Sequence, residues 1–399
     1  MKHVNKTMKG LTGAEASAEA MKQINPDVVP AYPITPQTPV MHSFTQFVAD
    51  GEVQTEMILV ESEHSAMSAA VGAAAAGGRV MTATSANGLA LMHEIVYIAA
   101  SSRLPIVMTV VNRALSGPIN IHCDHSDTMA ERDSGWIQIY CATAQEAYEY
   151  TIMAVRIAEH PDVRLPVMVC QDGFITSHGV ENVEVLDTTT VKMFVKEHEP
   201  FHPLLDTDNP VSSGPLDLFD FYFEHKRQQS EAMMHTRKVM KHIFKEFEEI
   251  TGNKYGFYEG YRLDDADYVI FVMSSTADTA KQIIDELREK GEKVGLFKLN
   301  VFRPFPIEEV VKELSGRKVV GVMDRSESFG AMGAALFNEV RSAMFEVENK
   351  PKIVNYIYGL GGRDCDDETL IKVFEELKEI DKMPKDHHYD KVRYLGVRE

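Results

Sequence analysis

No apolar run of about eighteen residues occurs in the chain, so no segment is long enough to cross a bilayer as a single helix. Basic residues are outnumbered: 41 Lys and Arg stand against 60 Asp and Glu, a formal net charge of −19. Nucleic acids and anionic membranes are recognised through basic patches, so neither is expected as a partner. Cysteine is scarce, and Cys123, Cys141, Cys170 and Cys365 lie far apart with no C-x-x-C pair. That pattern excludes a disulfide framework and any iron–sulfur or zinc site held by this chain's cysteines alone. The opening Met1-Lys2-His3-Val4-Asn5-Lys6 leads into polar sequence without the apolar core of a signal peptide. With the cysteine usage, this predicts a cytoplasmic location. Ready-made catalytic sequences are missing too: there is no Ser-His-Asp motif, no H-E-x-x-H and no Walker sequence. No Gly-Asp-Gly is followed by the paired asparagines that would hold a magnesium–pyrophosphate; Gln171-Asp172-Gly173 is the nearest approach.

What is present is ordinary globular material, 44% hydrophobic and 25% charged over 399 residues, enough for two or three domains. The most informative stretch begins at Met57-Ile58-Leu59-Val60, which reads as a short buried strand. It gives way to Glu61-Ser62-Glu63-His64 and then to a helix of small residues, Ser65 to Ala76, against which other backbone can pack closely. The two carboxylates therefore sit at the carboxyl end of a sheet, where open α/β sheets bind ligands. The competing reading is that Glu61 and Glu63 are solvated loop charges.

Similar units surround this one. Thr12-Gly13-Ala14-Glu15 is a capping box opening a helix to about Gln23. A strand over 27–32 runs into Pro33-Ile34-Thr35-Pro36-Gln37-Thr38-Pro39, whose prolines stiffen the loop and present Thr35, unless it is a plain helix entry capped by Thr38. A strand over 80–84 turns through Ser85-Ala86-Asn87-Gly88 into a helix over 89–100, its N-terminus aimed at the same edge. The apolar strand 105–111 ends in Asn112-Arg113. That arginine either pairs with a carboxylate of the protein or meets an anionic ligand. Asn120-Ile121-His122-Cys123-Asp124-His125 gathers ligand-type groups without a standard zinc spacing, so a hydrogen-bonded loop is expected there and no metal.

Strands over 136–140 and 166–170 flank a helix over 144–160. The alternation predicts a mainly parallel sheet covered on both faces. Residues 181–217 break it and read as a linker, followed by a polar crossover helix over about 219–250. A second alternation then begins: strands over 268–273, 294–299, 318–324 and 353–358, and helices over 276–290, 307–314, 331–345 and 368–380. The expected fold is α/β, with two doubly wound domains: residues 1–200, a linker and crossover helix over 201–260, and residues 261–399. One glutamate at a sheet edge, one arginine and a stiff threonine loop are an incomplete apparatus. They point to half of an active site, completed by another chain.

Across nearly its whole length the chain resembles the alpha subunits of pyruvate:ferredoxin oxidoreductase and related 2-oxoacid:ferredoxin oxidoreductases. The resemblance rests on Tyr32-Pro33-Ile34-Thr35-Pro36, Glu61-Ser62-Glu63, Thr84-Ser85-x-x-Gly88-Leu89, Asn112-Arg113-Ala114-Leu115-Ser116 and Asp124-His125-x-Asp127. In the second half it rests on Lys298 to Pro306, Asp324-Arg325-Ser326 and Tyr394 to Glu399. It implies a pyrimidine-binding domain for thiamine diphosphate and a transketolase-C-like domain. By that resemblance Glu63 matches the glutamate that bonds N1′ of the aminopyrimidine, with Glu61 as its neighbour and competitor. Thr35 and Arg113 match residues that hold the substrate carboxylate. Pro33, Ser85, Asn87 and Gly88 join the cofactor contacts, and Asn112, Asp124 and His125 an active-site loop. It also implies that Mg2+ and [4Fe-4S] clusters reside on partner subunits: a beta subunit with the pyrophosphate motif, and gamma- and delta-type subunits. Coenzyme A is the implied co-substrate, ferredoxin the acceptor, and a dimer of hetero-oligomers the assembly. Pyruvate is the first expectation for substrate. The loop Ile121-His122-Cys123 lacks an expected aromatic residue, which keeps branched-chain 2-oxoacids such as 2-oxoisovalerate as the alternative. A non-catalytic scaffold subunit is the alternative of another class.

Overall fold

The capping box at Thr12 forms as its sequence dictates. Thr12 Oγ1 accepts from the Glu15 amide at 3.2 Å, and the Thr12 amide donates to the Glu15 carboxylate at 2.9 Å. In the computed structural model, which describes residues 5–384 and 391–398, this box opens the helix Gly13–Ile24. Its alanines are fully buried, because the helix lies between the helix Ala144–Glu159 and an antiparallel strand pair, Lys6–Thr12 with Val180–Leu186. The termini at 1–4 and Glu399 of the closing motif lie outside the described residues.

The first sheet runs in spatial order Val301–Arg303, Ile137–Cys141, Val167–Asp172, Val107–Asn112, Met81–Thr84. A bridge from Val80 to Val28 extends it to Val28–Ala31, which pairs in parallel with Glu56–Leu59 at the outer edge. All pairs are parallel except Val301–Arg303 against Ile137–Cys141. The central strands are buried along their whole length, as continuous apolar runs covered on both faces should be. The second sheet runs Val392–Tyr394, Lys352–Ile357, Val319–Asp324, Tyr268–Met273, Val294–Leu299, Tyr258–Tyr261, parallel but for the last strand. This is the expected α/β class with mainly parallel sheets.

Several readings need correction. The strand at Glu56–Leu59 exists, but it is not buried: Ile58 is 36% and Leu59 75% exposed, because it is the edge strand, paired on one side with Val28–Ala31 and on the other with no strand of the described residues. Residues 181–195 are not linker. They form the strand Val180–Leu186 and the helix Thr188–Val195, capped by Asp187. The crossover helix, Tyr222–Thr251, follows an irregular segment. Ser85 alone is the turn: the helix starts at Ala86 and runs to Ser101. Thr38 is the first helical residue of Thr38–Ala49 rather than its cap.

The boundary at 261 is also crossed twice. The strand Tyr258–Tyr261 belongs to the second sheet, and Val301–Arg303 returns to the first. The reason for the return is packing. One apolar cluster unites Met108, Val110 and Tyr140 of the first sheet's strands with Phe271, Phe297 and Phe302 of the second half. The two sheets thus share an interior, and the carboxyl edge of the first lies beside loops from the second.

Candidate active site

Glu63 opens the helix Glu63–Ala76, whose cap is Ser62, with Ser62 Oγ accepting from the Ser65 amide at 3.2 Å. Its side chain is folded inward and only 8% exposed. It lies against the first turn of the neighbouring helix. A methyl group on Gly88 would stand 2.8 Å from Glu63 Oε1 and 2.6 Å from Thr84 Oγ1, so this position must be glycine for the carboxylate to sit there. Glu61, two residues earlier, is exposed and accepts from Ser65 Oγ at 2.5 Å; that bond and its own backbone amide lower its pKa. The two carboxylates, equivalent on spacing, are thus separated by environment.

Around Glu63 the strand Met81–Thr84 ends in buried hydroxyls without hydrogen-bond partners, Thr84 Oγ1 and Ser85 Oγ. Buried polar atoms normally have partners, so unmet ones at a sheet's carboxyl edge mark a ligand site. Ala86 follows with a φ of 45°, a left-handed conformation that an alanine rarely adopts. Asn87 is exposed, and its Oδ1 accepts from the Ser116 amide at 3.0 Å. These residues fit an aminopyrimidine cofactor: a carboxylate shielded from water, hydroxyls without partners among the described residues, and a glycine that makes room for the carboxylate.

Arg113 leaves the end of the strand Val107–Asn112. Nε donates to Asn120 O and Nη1 to Thr35 O, each at 2.8 Å. Among the described residues no carboxylate pairs with it and Nη2 has no hydrogen-bond partner, so none of them forms the internal ion pair weighed from sequence. Two carbonyls aim the guanidinium while leaving its charge uncompensated, which suits an anionic ligand. Thr35 and Pro33 are exposed on the proline loop, so Thr35 touches Arg113 through its carbonyl and keeps its hydroxyl open. Gly173 supports that loop from below: a methyl there would meet Asn112 O at 2.4 Å and Pro36 Cγ at 2.8 Å.

The remaining expected residues divide. Asn112 is wholly buried and donates to Asp127 Oδ1 and Thr128 Oγ1, both at 2.8 Å. Asp124 reaches the second half: Oδ2 accepts from the Gly361 amide at 3.2 Å, while Asn120 Nδ2 donates to Gly361 O at 3.0 Å. The glycine turn at 359–362 therefore steadies the loop whose carbonyl aims Arg113. His125 is 1% exposed and does not open onto this edge. Its Nε2 meets Asp172 Oδ1 at 2.8 Å, and Asp172 Oδ2 also accepts from Arg325 Nη1 at 2.9 Å and Ser275 Oγ at 2.5 Å. Burial alone would raise the Asp172 pKa, but His125 and Arg325 hold it well below the usual carboxylate range. Cys123, His125 and Asp172 could together surround an ion, but the Arg325 guanidinium already serves Asp172 as its cation, and burial pushes the Cys123 thiol up. This donor set fits an ion pair, not a metal.

One residue of the site was quoted from sequence but given no task. Asp127 binds the Ala86 and Arg113 amides through Oδ2 and the Asn112 amide group through Oδ1. The signal was an acid two residues after His125 in a polar loop, which by itself does not say what the acid holds.

A family described as "Pyruvate flavodoxin/ferredoxin oxidoreductase, thiamine diP-bdg" matches residues 19–245, and "Pyruvate:ferredoxin oxidoreductase core domain II" matches residues 266–370. The pyruvate synthase subunit PorA of Thermotoga maritima is 64% identical over 389 residues, covering 98% of each chain. The ketoisovalerate oxidoreductase subunit VorA of Pyrococcus horikoshii is 41% identical, covering 94% of this chain and 95% of its own. A 2-oxoglutarate:ferredoxin oxidoreductase from Magnetococcus marinus shares the fold, with a TM-score of 0.72 at 18% identity. The match covers 94% of this chain and 66% of that longer one. An inward-turned Glu63 beside Gly88, an unpaired Arg113 and these matches lead to one assignment: the chain belongs to the pyruvate:ferredoxin oxidoreductase family.

Proposed function

We propose that the chain is the alpha subunit of a thiamine-diphosphate-dependent pyruvate:ferredoxin oxidoreductase, which converts pyruvate and coenzyme A to acetyl-CoA and CO2 and passes electrons to ferredoxin. The observation that carries this is Arg113: a guanidinium aimed by two carbonyls, without a carboxylate, on the same sheet edge as the shielded Glu63. The high identity to a pyruvate synthase subunit supports it.

When bound, thiamine diphosphate supplies a nucleophilic carbon and an electron sink for the 2-oxoacid. Glu63 exchanges a proton with N1′ of the aminopyrimidine, a task suited to a carboxylate kept from water. Thr84 Oγ1, Ser85 Oγ and the Gly88 backbone receive the ring. Arg113 grips the substrate carboxylate, and the open Thr35 hydroxyl adds a second contact. The chain lacks the pyrophosphate pattern, and three of its four free cysteines are buried apart from one another's sequence neighbourhood. In this reading, as the family resemblance implies, Mg2+ with the pyrophosphate and the [4Fe-4S] clusters are carried by beta-, gamma- and delta-type partners, in a dimer of hetero-oligomers.

The VorA relative and the exposed Ile121 beside Asn120 favour a second reading, a branched-chain 2-oxoacid such as 2-oxoisovalerate. The complex, purified anaerobically and assayed with a panel of 2-oxoacids, coenzyme A and ferredoxin, decides between them: pyruvate should show the highest kcat/KM. Arg113→Lys should raise the pyruvate KM roughly tenfold or more, since a point charge does not replace a two-pronged fork. An unchanged KM would reduce Arg113 to a structural part.

A further inference from the structure

We propose that Asp127 is the positioning residue that sets the cofactor-side turn and the substrate-binding arginine in one register; the proposal rests on the function proposed above. Its carboxylate is 1% exposed, and no cation pairs with it among the described residues. Four neutral donors surround it instead. Oδ2 accepts from the Ala86 and Arg113 amides, each at 3.0 Å, and Oδ1 from Asn112 Nδ2 and the Thr128 amide, each at 2.8 Å.

The two amides on Oδ2 come from different strand ends. Ala86 begins the helix that carries Gly88, which touches Glu63. Arg113 carries the guanidinium aimed at Thr35 and Asn120. One oxygen atom therefore ties the Glu63 side to the Arg113 side beyond the end of the strand ladder, whose last pairing is Thr84 with Val110. Ala86 has a left-handed φ that alanine rarely adopts, and its amide in that conformation is the one bonded to Asp127. The Ser116 amide also donates to Asn87 Oδ1 between the two loops, but on the exposed surface. Burial pushes the Asp127 pKa up to about 6 against the pull of its hydrogen bonds, while an apolar residue here would leave four buried donors without an acceptor.

Every partner of Asp127 is a donor. Asp127→Asn must therefore turn an amide NH2 toward donors on one side and lose acceptor strength on the other. In the assembled complex it should raise the pyruvate KM roughly tenfold and weaken thiamine diphosphate binding severalfold, the scale of a small misplacement of reacting groups. The reciprocal swap, Asp127→Asn with Asn112→Asp, restores a donor–acceptor pair between 127 and 112 and returns an amide oxygen to Ala86 and Arg113, leaving the Thr128 amide as the one donor that faces an NH2 group. It should recover the KM to within about threefold. A residue that merely holds the fold would behave differently: the thermal midpoint would drop while the KM and cofactor affinity of the surviving complex stayed as in the wild type. That result overturns the proposal. So does a swap that restores stability without restoring KM. If Asp127→Asn fails to assemble, the swap carries the test, and failure of both to assemble also overturns it. Arg113→Lys is measured alongside. If it keeps the wild-type KM, the substrate reading fails and this proposal with it; if it loses affinity while Asp127→Asn does not, the Asp127 proposal falls alone.

Discussion

The carboxyl edge of the first sheet and the seam where the two halves meet are built from the same kinds of residue, and they are finished differently. At the seam, Asp172 is served by His125, Arg325 and Ser275, with every contact supplied by this chain. At the edge, among the described residues, Arg113 has no carboxylate and the Thr84 and Ser85 hydroxyls have no partners, and the outermost strand shows Leu59 to solvent. Buried charge that is fully paired serves the fold. Polar groups left unmet, beside apolar surface left uncovered, are what the proposed half-site would present to another chain.

The largest effect expected is on the chain by itself. Expressed alone and anaerobically, residues 1–399 should fold, since the seam and cores need nothing else, yet show no pyruvate decarboxylation. They should be colourless, free of iron, and weak in thiamine diphosphate binding, because a hard cation and its pyrophosphate contribute much of such affinity. A brown protein, or tight cofactor binding, would erase the contrast between a finished seam and a half-built edge.

The seam should respond next most strongly. Arg325→Met leaves Asp172 buried with His125 and Ser275 but without its permanent cation, and breaking a buried pair costs about 3–5 kcal/mol. The isolated chain's thermal midpoint should fall well below the wild type's. The pH sense follows from the depressed pKa of Asp172 in the folded state. Its stabilisation is complete above the unfolded value of about 4 and is lost as pH falls below it. Asp172→Asn should therefore be less stable near neutrality while losing less on acidification. An acid limb as steep as the wild type's would show that the pair contributes little.

Glu63→Gln tests the edge directly. Fold and assembly should survive and turnover should drop roughly 10²-fold or more, the usual scale for a lost acid–base group. Glu61→Gln, exposed and bonded to Ser65, should cost far less. A reversed order would move the role to Glu61.

The sequence made most of the alternating core legible, because long apolar runs such as Val107–Asn112 and amphipathic helices such as Thr276–Glu289 carry their own period. Short elements did not announce themselves. Val301–Arg303 is three residues long and earns its place only by packing against Ile137–Cys141, a partner far away in sequence. Val180–Leu186 does alternate, with Val183 and Val185 inward, but the prolines and aspartates after residue 200 drew the linker reading back over it. In the site, residue types at strand ends pointed to Glu63, Arg113 and Thr35. Which carboxylate turns inward depended on Gly88 facing it, and the work of Asp127 depended on three loops meeting; neither relation is local in sequence.

The smallest effect sharpens the comparison most. Leu59 is 75% exposed on the outermost strand, whereas Leu299, also on a sheet strand but inside the shared interior, is fully buried. Leu59→Ser should change the stability of the isolated chain by no more than about 0.5 kcal/mol, the range for a surface residue that touches little. Leu299→Ala should cost about 2–5 kcal/mol through the cavity it leaves. Mixing each variant with the partner subunits should reverse the ranking for assembly. Leu59→Ser should weaken association, since an apolar edge beside an unfinished site is where another chain would cover both the strand and the cofactor, while folded Leu299→Ala should associate as the wild type does. Unimpaired association of Leu59→Ser would place the partner on a different face. A large loss of stability in the isolated Leu59→Ser chain would mean the edge strand is supported from within, and the half-site would then need another explanation for its uncovered surface.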